Sequence, residues 1–195
     1  MTVPSPRQRL LDAAEALFTE HGYAAVKLRD IAAAAGLHHS SLYHHTPGGK
    51  VQLFVEAVER GLDRHGTGLR DAIAADAGDV RRELAAAAAW VLAAPASNHA
   101  RMLHTDLGNL PSPTADELAR RSWTALVAPL AEVLDRAAAR GEVRLRPGDP
   151  GLVAAALLSA LQGLRTAVAA HPVPDAGAQQ AERLVDVLLD GLRPR

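Results

Sequence analysis

Cysteine is absent from this 195-residue chain, which excludes a disulfide framework and any thiolate metal site. Aromatic residues are nearly absent too, with two each of Phe, Tyr and Trp. No apolar run near the N-terminus has the form of a secretory signal. The most apolar stretch, residues 152–170, approaches the length of a membrane span. It carries Ser159, Gln162, Arg165 and Thr166 and no aromatic anchors, so a buried helix is expected rather than a span. An excess of either charge is also missing: 21 basic residues face 22 acidic ones. The chain is therefore no general polyanion-coating protein, and any affinity for phosphates must arise from local segregation of charge. Lysine occurs only as Lys27 and Lys50, and no acidic residue lies between Asp30 and Glu56.

What remains is rich in Ala, Leu, Val and Arg, without long β-branched runs. Such a chain is expected to be all-α. Ser5-Pro6-Arg7-Gln8 offers an N-cap, a proline at the first helical position and a capping-box glutamine. Leu10, Ala14, Leu17 and Phe18 then recur at helical spacing, and Gly22 suits a helix end. A second helix is expected over residues 28–35, broken at Gly36. A short polar third helix is expected over 39–45, anchored by Leu42. After the Pro47-Gly48-Gly49 loop a long fourth helix begins at Lys50, with Gly61, Gly66 and Gly68 as possible kinks.

Two short helices joined at a glycine form the pattern of a helix-turn-helix, whose second helix enters the major groove of DNA. His39, Ser40 and Ser41 occupy the N-terminal turn of that helix and suit base edges. Lys27, Arg29, His38, Tyr43, His44 and Lys50 suit phosphate contacts around it. The histidine pairs His38-His39 and His44-His45 also invite a metal reading, but no carboxylate lies close in sequence. His99 and His104, five residues apart, do not share a helix face well. No metal and no other cofactor is assigned. No nucleophile elbow, phosphate-cradling glycine loop or acid pair occurs, so no enzymatic activity is expected.

The ordered set Phe18, Gly22-Tyr23, Asp30-Ile31-Ala32, Ala35-Gly36-Leu37, Ser41-Leu42-Tyr43, His45 and Lys50 with Leu53 resembles the DNA-binding domain of TetR-type transcriptional regulators. The resemblance covers about residues 7–58. It departs from the usual pattern at Lys27 and His38, where hydroxyl caps are common, at Thr46, where phenylalanine is common, and in a loop one residue longer. It implies an N-terminal helix-turn-helix domain over residues 1–50 and a larger helical ligand-binding and dimerisation domain over 51–195, about nine helices in all. It also implies that Tyr43 and Lys50 touch the DNA backbone.

The C-terminal expectations follow. Helices are expected from Asp79-Val80 to about residue 94, from Asn98 through Leu107, from Thr114 to Gly141 with a kink or offset at Pro129, from Asp149 through the apolar stretch, and over 178–190. By resemblance, a small-molecule pocket would be lined by Trp90, Met102, Trp123 and Leu126, with His99, Arg101, His104 and Gln162 orienting a polar group. The last two helices would pair with those of a second copy through Leu152, Ala156, Leu157, Ala160, Leu161, Leu164, Leu184 and Leu188. The expected function is a cytoplasmic, nucleoid-associated repressor. It would be a homodimer on a near-palindromic double-stranded operator, released by a small-molecule effector, with no membrane association. The alternative is a ligand-binding or protein-interaction module of the same fold that does not bind DNA.

Overall fold

The computed structural model describes residues 4–38, 46–93, 106–146, 149–170 and 176–192. Among these, every regular element is helical: α1 (Pro6–Ala25), α2 (Leu28–Ala34), α3 (Gly49–Ala75), α4 (Val80–Ala93), α5 (Ser112–Ser122), α6 (Ala128–Ala139), α7 (Asp149–Ala170) and α8 (Ala176–Leu192). A 3-10 turn, Leu107–Asn109, precedes α5, and a π-helical turn, Trp123–Val127, joins α5 to α6. Because α5, the π turn and α6 run on without a break, the described residues hold seven separate helices rather than about nine. The helices expected over 39–45 and from Asn98 lie largely or wholly outside the described residues. No described helix is long and apolar enough to cross a membrane.

The chain divides into two compact units, residues 1–63 with 96–121, and 64–95 with 122–195. In the first unit, α1 starts on the capping box read from the sequence. The Ser5 hydroxyl accepts from the Gln8 amide (3.2 Å), and the Gln8 side chain accepts from the Ser5 amide (2.9 Å). Gly22 sits at φ 78° and interrupts the helical backbone, where a side chain would be strained. Leu10, Ala14 and Phe18 of α1 are fully buried, as are Ile31 of α2 and Leu53, Phe54, Ala57 and Val58 of α3. Phe18, Tyr23 and Phe54 form an aromatic cluster, with ring centroids 5.0–5.9 Å apart.

The second unit is built on Leu69, Leu84, Ala88, Leu130, Leu134, Leu157, Leu161, Val185 and Leu189. Its many alanines let helix axes approach closely. The offset expected at Pro129 is the π turn. Proline cannot donate to the carbonyl four residues back and crowds it. The wider turn absorbs this, and the Ala128 amide donates to the Trp123 carbonyl, five residues earlier.

α3 is continuous through Gly61, Gly66 and Gly68. Two of them make room for neighbours. A Cβ at Gly66 would lie 3.1 Å from the Ala125 carbonyl oxygen, and one at Gly68 would lie 2.5 Å from the Trp90 ring. Glu83, 2% exposed, ties the start of α4 to α6 by accepting from the Gly78 amide (3.1 Å) and from Arg136 (2.5 Å).

Candidate nucleic-acid interface

The turn after α2 is set by local chemistry. The Gly36 amide donates to the Ala33 carbonyl (3.1 Å) and the Leu37 amide to the Ala32 carbonyl (2.9 Å). Gly36 itself has φ +66°. This is a Schellman closure, which satisfies orphan carbonyls and turns the chain sharply. At the other end of α2, Lys27 is the N-cap and contributes no side-chain cap. Instead Asp30 reaches back and accepts from the Lys27 amide (3.1 Å). Half of a capping box therefore operates where the usual hydroxyl is missing, and the Lys27 side chain is left for the surface.

The electrical balance of the N-terminal residues has a spatial explanation. Arg7 donates to both oxygens of Glu56 (2.6 Å), and Arg60 pairs with Asp12 and Glu15 (2.6 Å each). These pairs fasten α3 to α1. They occupy the carboxylates of Asp12, Glu15 and Glu56. Around α2, Lys27, Arg29 and His38 are exposed. Arg29 has Asp30 at 3.4 Å, a solvated contact of small energetic weight.

The N-terminal end of α3 is also locally specified. The Gly49 amide donates to the Thr46 carbonyl (3.0 Å), and Gly49 takes φ +63°. Gln52 accepts from the Gly48 amide (2.8 Å) and donates to Glu56 (2.8 Å). Thr46, in the place of the more usual aromatic residue, is fully buried. Lys50 stands in the first turn of α3, half-buried. Its ammonium lies 4.1 Å from the centroid of the Tyr23 ring, a cation–π contact. Desolvation pulls its pKa below the ordinary lysine range, and the carboxylate of Asp106 acts in the opposite sense.

Of the expected DNA-contacting residues, then, Lys27, Arg29, His38 and Lys50 are described. His39, Ser40, Ser41, Tyr43 and His44 lie outside the described residues. Sequence reading missed Tyr23 as the neighbour of Lys50; Tyr23 was legible only as a motif letter.

The expected ligand residues are less gathered. His99, Arg101, Met102 and His104 lie outside the described residues. Trp90 packs on Gly68, with His65 edge-on at 5.6 Å. Trp123 is 49% exposed, and its ring lies over the start of α7, 3.1 Å from where a Cβ of Gly151 would stand. Leu126 and Gln162 are half-buried. Two clefts are described in the second unit, of about 540 and 320 Å³. Their linings meet at Gly78, and neither includes an expected ligand residue. Among the described residues no group of three His, Asp or Glu could hold a metal ion.

The expected pairing face needs correction. Leu157 and Leu161 are 1% and 0% exposed, inside the chain's own core, and have no surface to offer a partner. Leu164, Leu184 and Leu188 are half-buried. The face that α7 leaves open carries Leu152, Ala156, Ser159, Ala160 and Gly163, an i, i+4, i+7, i+8, i+11 stripe. Leu152 is 68% exposed, and on α8 Val187 is 72% exposed.

Comparison with known proteins identifies the family. Residues 10–57 match the family described as bacterial regulatory proteins, tetR family. Residues 110–194 match the C-terminal region of BetI-type transcriptional repressors. The chain belongs to the TetR-type transcriptional regulators, bacterial proteins that bind DNA through an N-terminal helix-turn-helix. Among relatives, it is 43% identical over 58 residues to the HTH-type transcriptional regulator LmrA of Bacillus subtilis; that match spans 30% of this chain and 31% of the relative. A proposed transcriptional regulator from Pseudomonas aeruginosa PAO1 shares its fold with a TM-score of 0.79 at 24% identity, covering 95% of this chain and 88% of that one. The fatty acid degradation regulator FadR of Bacillus halodurans gives 0.72 at 20% identity over the whole of both chains.

Proposed function

We propose that this chain is a homodimeric repressor that holds a near-palindromic operator through residues 27–50 and is released by a small-molecule effector. The observation that carries the reading is the Schellman turn at Gly36 inside the N-terminal family match. Residues 1–50 supply the DNA contacts and residues 51–195 the effector and dimer surfaces. His39, Ser40 and Ser41 read base edges. Lys27, Arg29, His38, Tyr43, His44 and Lys50 hold phosphates. Repression is supported by the similarity of residues 110–194 to BetI-type repressors. The exposed apolar stripe of α7 and Val187 of α8 are the surface for a second copy, which doubles the recognition helices and makes the operator two-fold symmetric.

Release is a population shift. An effector that prefers one spacing of the two recognition helices over the other draws the dimer away from the DNA-bound state. The long helix α3 contributes residues to both compact units and is the covalent route for that change. The protein acts in the cytoplasm, on the nucleoid, needs no cofactor, and carries no catalytic set. Selection of bound sequences from a random duplex library, followed by footprinting, tests the reading. An enriched near-palindrome is expected. Binding no stronger to any selected duplex than to random sequence would leave a ligand-binding or interaction module of the same fold.

A further inference from the structure

The Lys50 ammonium lies 4.1 Å from the centroid of the Tyr23 ring, and that ring is itself held in place. It stacks on Phe18 at 5.9 Å and meets Phe54 edge-on at 5.0 Å, while Phe18 and Phe54 meet edge-on at 5.2 Å. Phe18 and Phe54 are fully buried, and Tyr23 and Lys50 are half-buried. The backbone supports the same arrangement from both ends. Gly22, at φ 78° and ψ 165°, breaks the helical path one residue before Tyr23, so that side chain does not take the direction a continuous helix would give it. The turn at Gly49 sets where α3 begins and places Lys50 in its first turn. The pairs Arg7–Glu56, Arg60–Asp12 and Arg60–Glu15 pin α1 to α3. Ring and ammonium thus belong to one compact unit and meet before any DNA arrives.

We propose that Tyr23 is a positioning residue for DNA binding: its ring holds the Lys50 ammonium, still charged, where it meets a backbone phosphate. The proposal rests on the reading of Lys50 as a phosphate contact. An aromatic face attracts a cation without cancelling its charge, as a carboxylate partner would. A lysine side chain has many rotamers, and confining it on binding costs entropy. Confinement over Tyr23 in the free protein removes part of that cost from the binding step. Tyr23 acts through Lys50 and needs no DNA contact of its own.

The test is a double-mutant cycle on the full chain: wild type, Tyr23→Leu, Lys50→Ala and the double variant, with Tyr23→Phe as the conservative rescue. Each is titrated into a selected duplex by fluorescence anisotropy at several salt concentrations. Tyr23→Leu is expected to weaken binding about fivefold when Lys50 is present, and less than twofold in the Lys50→Ala background. Its slope of log K against log salt is expected to match wild type, because the same phosphates are neutralised. Tyr23→Phe keeps the ring and is expected to stay near wild type. A second readout needs no DNA. Lysine occurs only at positions 27 and 50, so isotope-labelled lysine gives two sets of side-chain signals by NMR. The ring current of Tyr23 is expected to move the Lys50 ε-methylene upfield of that of Lys27 in wild type and Tyr23→Phe, and not in Tyr23→Leu. Tyr23→Met replaces the leucine variant should that one not fold. An unshifted Lys50 signal in wild type, an unchanged or tighter affinity for Tyr23→Leu, or an equal loss with and without Lys50 overturns the proposal. A wild-type chain that binds no duplex overturns the DNA-binding reading and this proposal together. Wild-type binding without a Lys50-dependent effect of Tyr23 overturns only this proposal.

Discussion

Lys50 already has a partner inside the chain. Its ammonium rests on the Tyr23 ring, yet it stands in the first turn of a helix at the edge of the helix-turn-helix. Replacing it with Ala should weaken binding to every duplex alike and reduce the slope of log K against log salt by about one. Titration at four salt concentrations checks this; an unchanged slope would remove its phosphate role. Two glycines make a contrasting pair. Gly36 has open space around its Cα but φ +66°, so Gly36→Ala should cost about 1–2 kcal/mol through backbone strain alone. Gly68 has helical φ but lies against Trp90. Gly68→Ala should gain helix propensity and lose packing, with a net cost of about 1 kcal/mol. It should also shift the Trp90 emission, read in a Trp123→Phe background. The two costs separate a conformational need for glycine from a spatial one. The special backbone at Gly36 was legible in its sequence neighbourhood. The Trp90 contact was not, because nothing local tells residue 68 what packs on it.

At the scale of elements, the sequence spoke clearly wherever one helix end decided the matter. The capping box of α1 was readable from Ser5-Pro6-Arg7-Gln8, since cap chemistry involves residues three apart. Ser5→Ala should lower stability by about 1 kcal/mol, measured as a shift in urea midpoint without a change in slope. Pro129 was readable as a disturbance, and the π turn is the form it took. The α3 glycines have a physical reason for their place that the sequence does not show. Propensity penalises glycine in an isolated helix, but tertiary packing of Trp90 and Ala125 compensates. The proposed DNA-contact set rests on the spacing of the motif. Tyr23, well separated from Lys50 along the chain, is brought against it by folding, and no pattern in the sequence pairs them.

For the whole molecule, the decisive question is which apolar residues are core and which are left at the surface. A helix apolar on nearly all sides, such as α7, does not say which stripe faces inward. The fold answers by burying Leu157 and Leu161 and exposing Leu152, Ala156 and Ala160. Leu152→Arg combined with Val187→Arg should therefore give folded monomers in sedimentation, with intact helical circular dichroism and weakened operator binding. Leu157→Arg should instead unfold the chain, since it buries an unpaired charge. A double variant that stayed dimeric would remove this face from the interface. Monomeric and folded Leu157→Arg would return the core assignment to question.

The sequence by itself determined the all-helical class, the helix ends at Ser5 and Gly36, the helix-turn-helix spacing and the family that shares it. These depend on backbone sterics and hydrogen bonds among residues a few positions apart, so the local order of letters suffices. Only the tertiary structure decided that α3 tolerates its glycines, that α7 turns Leu157 and Leu161 inward, and that the Lys50 ammonium lies over the Tyr23 ring. Each of these depends on which distant element supplies the neighbouring atoms. Burial and Coulomb energy are properties of that neighbourhood rather than of any one segment.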